Sequence, residues 1–173
     1  MATMTIGTMV EPIVSEFREE VATTRRVLER VPADKLAWKP HQKSMTLGQL
    51  AWHIAAVPGN LARIIPQESF DVAQGAFVPP QPNNTEEIMV AFEQSVRDAE
   101  HCLQEMTDQE AKGMWRLMNK DRQLLNRPRI EIVRTIMLNH WYHHRGQLSV
   151  YLRLLNVPLP VIYGPTADEN PFA

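Results

Sequence analysis

The sequence predicts an all-α protein built as a four-helix bundle. Four segments of about 20 to 28 residues repeat apolar side chains at three- and four-residue steps, which places each set on one helix face. Proline-rich stretches separate these segments, and no internal repeat or low-complexity tract interrupts them. A length of 173 residues suits one domain, so a single domain spanning 1–173 is expected.

The first two helices have clear end signals. Pro12 suits the opening turn of the first helix, where a missing N–H costs little. That helix is expected to end at Val31-Pro32, because the residue before a proline avoids the α region. The second helix begins at Thr46, and Gln49 three residues later completes a capping-box pattern.

The later elements are predicted from periodicity and from breaker residues. The third helix is expected to begin near Asn84-Thr85, and the fourth to occupy about 128–156. Residues 66–83 contain four prolines and predict a long crossover loop between helices 2 and 3. Weak alternation over 113–126 predicts an extended segment or a small hairpin. The tail, 158–173, is expected to lie irregularly over the bundle.

Composition and charge exclude several function classes. A formal net charge of −2 provides no attraction to nucleic acid or to an anionic membrane. No apolar run approaches the ~20 residues that span a bilayer. The single cysteine, Cys102, excludes an internal disulfide and suits a reducing compartment. Because the opening MATMTIGTMVEP also lacks the pattern of a secretory signal, a cytoplasmic protein is expected.

Two histidines of the fourth helix form the candidate site. His140 and His144 are four residues apart, a spacing that places two imidazoles on one helix face and can bring both to one metal ion. Both occupy positions of the apolar stripe and are expected to point inward, where ring nitrogens need partners. A metal satisfies one nitrogen of each ring, and nearby acceptors satisfy the other. His143 could replace one of the pair, but it lies off the centre of the stripe and is expected to support the ligands or lie at the bundle edge.

A third ligand is expected from the second helix. His53 lies at the edge of the apolar stripe of that helix, and Trp52 and Trp141 adjoin the histidines and could wall a cavity. Pro58 cannot donate to the carbonyl of Ile54, so a kink is expected there. A kink beside a ligand is compatible with a cavity that opens at the same level.

Other residues near the site have a structural interpretation beside a functional one. Arg145 could bind a substrate carboxylate or phosphate, but anchoring the tail or pairing with a helix carboxylate is favoured. Gly146 costs about 1 kcal/mol in a helix interior, so it is predicted to permit the close approach of another segment. Tyr142 is either a proton donor or, as favoured, a packing residue. His41 and His101 are expected to lie outside the site, and no general base is recognisable.

Three stretches together resemble the DinB-like (DinB/YfiT) family of metalloenzymes. They are LGQLAWHIAAVPGN around His53, NHWYHHRGQL around His140 and His144, and the closing VPLPVIYGPTADE. The resemblance spans essentially the whole chain and implies a four-helix bundle of up-down-down-up topology, in agreement with the long crossover. It implies that the three histidines are the metal ligands, that the divalent metal is zinc or nickel, and that the protein is a homodimer.

The resemblance also implies a kind of chemistry. Related proteins include metal-dependent thiol S-transferases and isomerases that use low-molecular-weight thiols. Three histidines leave coordination positions open, as catalytic sites do, and the ion could activate either water or a thiol. The expectation is therefore a metal-dependent hydrolase or thiol S-transferase acting on a small molecule. The alternatives are a non-catalytic metal- or ligand-binding bundle and a structural dimer without metal.

Overall fold

A computed structural model describes residues 8–75 and 78–172 of the chain. The helices are α1 (Glu11–Leu28), α2 (Leu47–Ile64), α3 (Thr85–Glu105), α4 (Asp108–Lys112), α5 (Arg129–Ile132) and α6 (His140–Leu154). A π-helical segment, Val133–Asn139, joins α5 to α6 into one long helix. The strands are β1 (Ser69–Asp71), β2 (Met114–Asn119) and β3 (Arg122–Pro128).

The fold is mostly helical, but it includes a three-stranded sheet that the all-α prediction lacks. β2 and β3 form an antiparallel hairpin, which confirms the hairpin expected over 113–126. β1 lies inside the predicted crossover loop and pairs parallel with β2, with Phe70 opposite Leu117. A strand of three residues is too short to show alternation in the sequence. Its conformation depends on the pairing with a strand far along the chain.

The helix starts agree with the predicted signals. The Thr46 hydroxyl accepts from the Gln49 N–H at 3.1 Å, and the Gln49 amide oxygen accepts from the Thr46 N–H at 3.1 Å. The Asn84 side chain caps α3 by accepting from the Glu87 N–H at 2.9 Å. Because these bonds satisfy amides that have no helical partner, they fix where α2 and α3 begin.

One apolar core lies between the long helices. α2 packs against α3 and α6, and α1 also packs against α3 and α6. The largest apolar side chains that are fully buried there include Phe17, Leu50, Ile54, Phe92, Leu103 and Trp141. Within the described residues, none of the helices combines the length and the apolar character needed to cross a membrane.

The proline in α2 leaves a carbonyl that another helix satisfies. α2 continues through Pro58, which has no N–H to donate to the Ile54 carbonyl. The indole N–H of Trp141 donates to that carbonyl at 2.8 Å. Trp141 is fully buried and stacks on Phe17 with ring centroids 5.5 Å apart, so it belongs to the core. The expectation that Trp141 walls a cavity is therefore wrong.

The C-terminal end of α2 is held by the hairpin and by α5. The indole N–H of Trp115 in β2 donates to the Ile64 carbonyl at 3.2 Å. The guanidinium of Arg129 donates to the Ile65 carbonyl at 2.9 Å. These bonds satisfy carbonyls at a helix end and place the sheet beside α2.

The tail carries no helix or strand over 158–172, as predicted, and ion pairs hold it to the helices. Asp168 pairs with Arg153 of α6. Glu169 pairs with Arg30 at 2.7 Å, just beyond α1. The tail therefore joins the two helices nearest to it by charge as well as by packing.

Candidate metal centre

The three predicted histidines meet in space. The Nε2 atoms of His53 and His140 are 3.4 Å apart, and those of His140 and His144 are 2.7 Å apart. One ring nitrogen from each histidine lies within 4.8 Å of the others. All three side chains are half-buried. Across 8–75 and 78–172, no second cluster of metal-ligating side chains of this kind occurs.

The donor set fits a small divalent cation. A tetrahedral ion bound to imidazole nitrogens at about 2.0–2.1 Å separates those nitrogens by roughly 3.3–3.4 Å. The His53–His140 distance matches this value. The His140–His144 distance is shorter by several tenths of an ångström, so these rings would separate slightly around an ion. Three neutral nitrogen ligands suit zinc and its neighbours rather than calcium or magnesium, which prefer oxygen.

Neighbouring acceptors orient two of the rings. The Gln147 amide oxygen lies 2.7 Å from His144 Nδ1, and with the proton on Nδ1 the Nε2 lone pair faces the other histidines. Among the described residues, His140 Nδ1 is buried without a partner that meets full hydrogen-bond geometry. The Ile136 carbonyl is the acceptor that interacts with this ring. Metal-binding histidines commonly have such acceptors behind them.

Burial keeps the cluster uncharged. Desolvation, followed by the nearby His144 and His140, lowers the pKa of His53 to about 4. Burial also lowers the pKa values of His140 and His144. A histidine must be neutral to bind a metal, so these shifts leave the three nitrogens available at neutral pH.

The core face of the long helix passes beside the site histidines. Its buried residues include Val133, Met137, Trp141 and Arg145, and also Leu138, Leu148 and Leu152. The two site histidines are half-buried and lie at the edge of this face. The apolar stripe of the sequence had predicted that they lie on the face itself.

The other histidines lie outside the cluster, as expected. His143 is exposed, and its ring centroid is 5.0 Å from that of His144. His101 is exposed on α3 and lies 3.2 Å from Glu105. His41 is exposed in a loop, where its Nδ1 accepts from the Lys43 N–H at 3.2 Å.

Arg145 has both structural roles that the sequence favoured, because it pairs with a helix carboxylate and also anchors the tail. It is 1% exposed and pairs with Glu20 of α1. It also donates to the Thr24 hydroxyl at 3.0 Å and to the Tyr163 hydroxyl in the tail. Tyr142 is a packing residue whose hydroxyl donates to Glu16 at 2.9 Å, and burial strongly raises the pKa of this phenol.

A chamber of about 430 Å³ adjoins the histidine cluster. Its wall includes His53 and His140, and its polar side chains otherwise are Asn60 and Arg63. The rest is mainly apolar and comes from α2, the sheet, α5 and the π-helical segment: Val57, Leu61, Ile64, Phe70, Trp115, Leu117, Ile132 and Ile136. This volume is in the range of small-molecule sites, about 300–1,000 Å³.

Sequence reasoning missed most of this chamber. It proposed Trp52 as a wall, but Trp52 lines a separate groove beside the start of α3. Trp115 and Phe70 reach the chamber through pairing of the sheet, which links segments far apart in sequence. The period-two pattern of 113–126 was the signal for a hairpin, but nothing in it showed which helix the hairpin contacts.

Two further expectations near the site have clear outcomes. A concavity of about 550 Å³ around His101 and Cys102 contains none of the three clustered histidines. Burial raises the pKa of Cys102 to about 11, which agrees with the expected packing role rather than with a nucleophile. The prediction for Gly146 is wrong, since nothing described lies within 4 Å of a Cβ added there.

The helical fold and its three clustered histidines define a protein equipped to bind a metal ion through imidazole nitrogens. The profile of the DinB family matches residues 4–170, and the chain belongs to this family. It is similar to YrdA of Bacillus subtilis, an uncharacterized protein, with 26% identity over 169 residues that cover 92% of this chain and 91% of the relative.

Two solved structures have a similar fold. A DinB-like protein from Bacillus cereus ATCC 10987 has a TM-score of 0.69 and 25% identity, covering 88% of this chain and 97% of its own. A DinB-like protein of Bacillus subtilis, YjoA, has a TM-score of 0.68 and 21% identity, covering 87% and 97%. The second likeness concerns the fold alone.

Proposed function

We propose that the chain is a divalent-metal-dependent thiol S-transferase in which His53, His140 and His144 bind zinc or nickel. The observation that carries the proposal is the convergence of three neutral ring nitrogens beside a small-molecule chamber. The up-down-down-up order of the helices belongs to the same proposal, supported by the long connection between α2 and α3. So does a cytoplasmic location, supported by the single cysteine.

The chemistry of the wall favours thiol transfer over hydrolysis. A divalent ion here supplies Lewis-acid chemistry, which favours the deprotonated form of a coordinated thiol or water. The described wall of the chamber includes no aspartate or glutamate that could shuttle protons for an attacking water. Thiol transfer requires fewer proton transfers by protein side chains. A carbon–sulfur bond forms, and the leaving group departs with the bonding electrons while the thiol proton goes to solvent.

The three histidines, Gln147 and the apolar wall each have a defined role in this proposal. His53, His140 and His144 provide the ligand nitrogens and keep the charge of the ion unneutralised. Gln147 holds His144 with Nε2 toward the cluster. The apolar wall excludes water from the reacting groups, which strengthens electrostatic interactions there.

The metal is tested by elemental analysis of protein purified without an affinity tag, followed by zinc titration of the metal-free chain. One ion per chain is expected, and His53→Ala, His140→Ala and His144→Ala should each lower zinc affinity by at least tenfold. His101→Ala is the matched control. His143→Ala tests the alternative ligand and should leave affinity unchanged. Unaltered zinc binding in all three site variants would refute the proposed ligands.

Activity is tested on the zinc-loaded chain with an aryl halide plus a low-molecular-weight thiol, and separately with an aryl ester. Metal-dependent thioether formation that His53→Ala abolishes supports the S-transferase. Ester cleavage without thioether formation would identify a hydrolase instead. Bound metal with no turnover on either panel would favour the non-catalytic metal- or ligand-binding bundle.

A homodimer remains part of the proposal and rests on the family resemblance. Sedimentation velocity over a hundredfold range of protein concentration measures it directly. A single species of twice the chain mass of 19.8 kDa is expected, and a monomer at all concentrations would contradict it.

A further inference from the structure

We propose that the chamber beside the histidines binds an aromatic or branched-alkyl small molecule with one metal-binding head group, and that hydrophilic thiols do not occupy it. This proposal rests on the proposed function for the role of the head group only. It names the class of electrophilic substrate that the chamber selects.

The chamber wall presents apolar surface that only an apolar ligand covers well. Leu61, Ile64, Phe70 and Leu117 are half-buried, so part of each side chain faces the open space. Covering apolar surface is favourable because it removes that surface from water. A hydrophilic group placed against these four side chains would lose hydration without gaining hydrogen bonds from them.

The chamber is elongated along α2. Its wall includes His53, Val57, Leu61 and Ile64, which lie on one face of that helix at steps of four, four and three residues. Eleven residues of α-helix correspond to about 16 Å. A ligand with its head at the histidines can therefore extend a ring or a short chain along the helix.

The charge of the wall restricts the head group. The described lining includes no carboxylate, so an ammonium group has no anionic partner there. Arg63 is the one charged side chain of the described lining. Its guanidinium nitrogen lies 3.8 Å from a carboxylate oxygen of Asp98, whose negative charge partly offsets that of the guanidinium. A second anionic group on the ligand is therefore not required. One electron-pair donor next to His53 and His140 is sufficient.

Isothermal titration calorimetry with 4-phenylbutyrate tests the proposal, with acetate as a probe that keeps the head and lacks the body. The metal-free chain should bind 4-phenylbutyrate at least tenfold more tightly than acetate. Leu117→Trp fills the chamber from the sheet and should weaken this binding more than tenfold. Leu124→Trp is the matched control, because Leu124 lies on β3 outside the chamber and is 44% exposed. It should bind like the wild type.

Zinc separates this proposal from the proposed function. Zinc loading should strengthen 4-phenylbutyrate binding in the wild type and not in His53→Ala. If Leu117→Trp weakens the binding of 4-phenylbutyrate to the metal-free chain, the chamber proposal is supported whether or not zinc strengthens this binding. If zinc adds nothing, that result counts only against the proposed metal function. Equal binding of acetate and 4-phenylbutyrate, or equal loss in both tryptophan variants, would overturn the chamber proposal.

If Leu117→Trp does not fold, a measurement on the wild type still tests the proposal. Methyl-labelled protein should show nuclear Overhauser effects between the phenyl ring of the probe and the methyl groups of Leu117, Ile64 and Ile136. Contacts confined to methyl groups outside the chamber would overturn the proposal.

Discussion

The side chain of Gln147 contacts Nδ1 of His144, whereas Nε2 of the same ring faces His140. Its amide oxygen accepts from Nδ1 at 2.7 Å, although Gln147 itself is exposed. Gln147→Ala should lower zinc affinity by about 10- to 100-fold, because the ring loses the partner that fixes its tautomer and orientation. Competition with a chromophoric chelator measures this affinity.

Two further variants define the role of Gln147. Gln147→Glu keeps an acceptor and should retain most of the affinity. Gln94→Ala removes an exposed glutamine of α3 and should have no effect. Wild-type zinc binding in Gln147→Ala would show that packing alone orients His144.

Trp141 stabilises the fold through the hydrogen bond that its indole N–H donates to the Ile54 carbonyl. Trp141→Phe should lower the free energy of unfolding by about 1–3 kcal/mol, because the buried Ile54 carbonyl loses its donor. Urea denaturation measures the loss. Trp52→Phe, at a half-buried position in a surface groove, should cost less.

A double variant isolates the hydrogen bond from the lost packing. Adding Pro58→Ala to Trp141→Phe returns a backbone N–H to α2, so part of the lost stability should be recovered. Strict additivity of the two single changes would indicate that the indole acts through volume alone.

At this scale the sequence predicts the clustered histidines better than their surroundings. The spacing of His140 and His144 and the apolar stripe were sufficient to propose a pair, and the resemblance added His53. The roles of Gln147 and Ile136 could not be predicted, because they depend on the local turn of the helix. Gly146 was misinterpreted, since a helical glycine looks the same in a sequence whether or not a neighbour approaches it.

Among the elements, the π-helical segment comes directly before the two site histidines of α6. Helix boundaries followed from Thr46, Asn84 and the prolines, because capping and breaking are local effects. The wide turn at Val133–Asn139 was not predictable, since it exchanges one hydrogen-bond pattern for another without a distinct residue signal. β1 was missed for a related reason, because its pairing with β2 is long-range.

Two glycines test how closely the helices pack. A Cβ at Gly59 of α2 would lie 2.8 Å from Ser95 Cα of α3, whereas a Cβ at Gly146 of α6 meets nothing described within 4 Å. Gly59→Ala should therefore destabilise the protein by about 1–3 kcal/mol through overpacking. Gly146→Ala should stabilise it by about 0.4–1 kcal/mol through lower entropy of the unfolded chain.

Thermal and urea unfolding of both variants measure the difference in sign. A change of the same sign and size at the two positions would contradict the close contact between α2 and α3.

For the whole molecule, ion pairs join segments that are distant in sequence. Glu16 of α1 binds Arg134 of the π-helical segment at 2.6 and 2.7 Å and accepts from Tyr142. Arg145 joins α1 to the tail in the same region. The π-helical segment and α6 are thus held to α1 by charged contacts.

Glu16 makes stability depend on pH. Hydrogen bonds from Arg134 and then Tyr142 lower the pKa of Glu16 below its usual value. A carboxylate whose pKa is lowered on folding stabilises the fold above its unfolded pKa, about 4.3, and loses this effect as pH falls through the folded pKa. Glu16→Gln should cost about 1 kcal/mol at pH 7, and the difference from wild type should shrink below about pH 4.

Urea denaturation between pH 3 and pH 7 measures this dependence. Glu19→Gln changes an exposed glutamate of the same helix and should have a small effect at every pH. A difference between wild type and Glu16→Gln that stays constant down to pH 3 would exclude the ionised carboxylate as its cause.

The π-helical segment also makes chain length, and not only residue identity, a requirement of the site. A π-helical turn contains about one more residue than an α-helical turn, because its hydrogen bonds join residues five apart and not four. Val133–Asn139 therefore has a rotation per residue different from that of a regular α-helix. If this segment became α-helical without losing a residue, His140 and His144 would rotate about the helix axis away from His53.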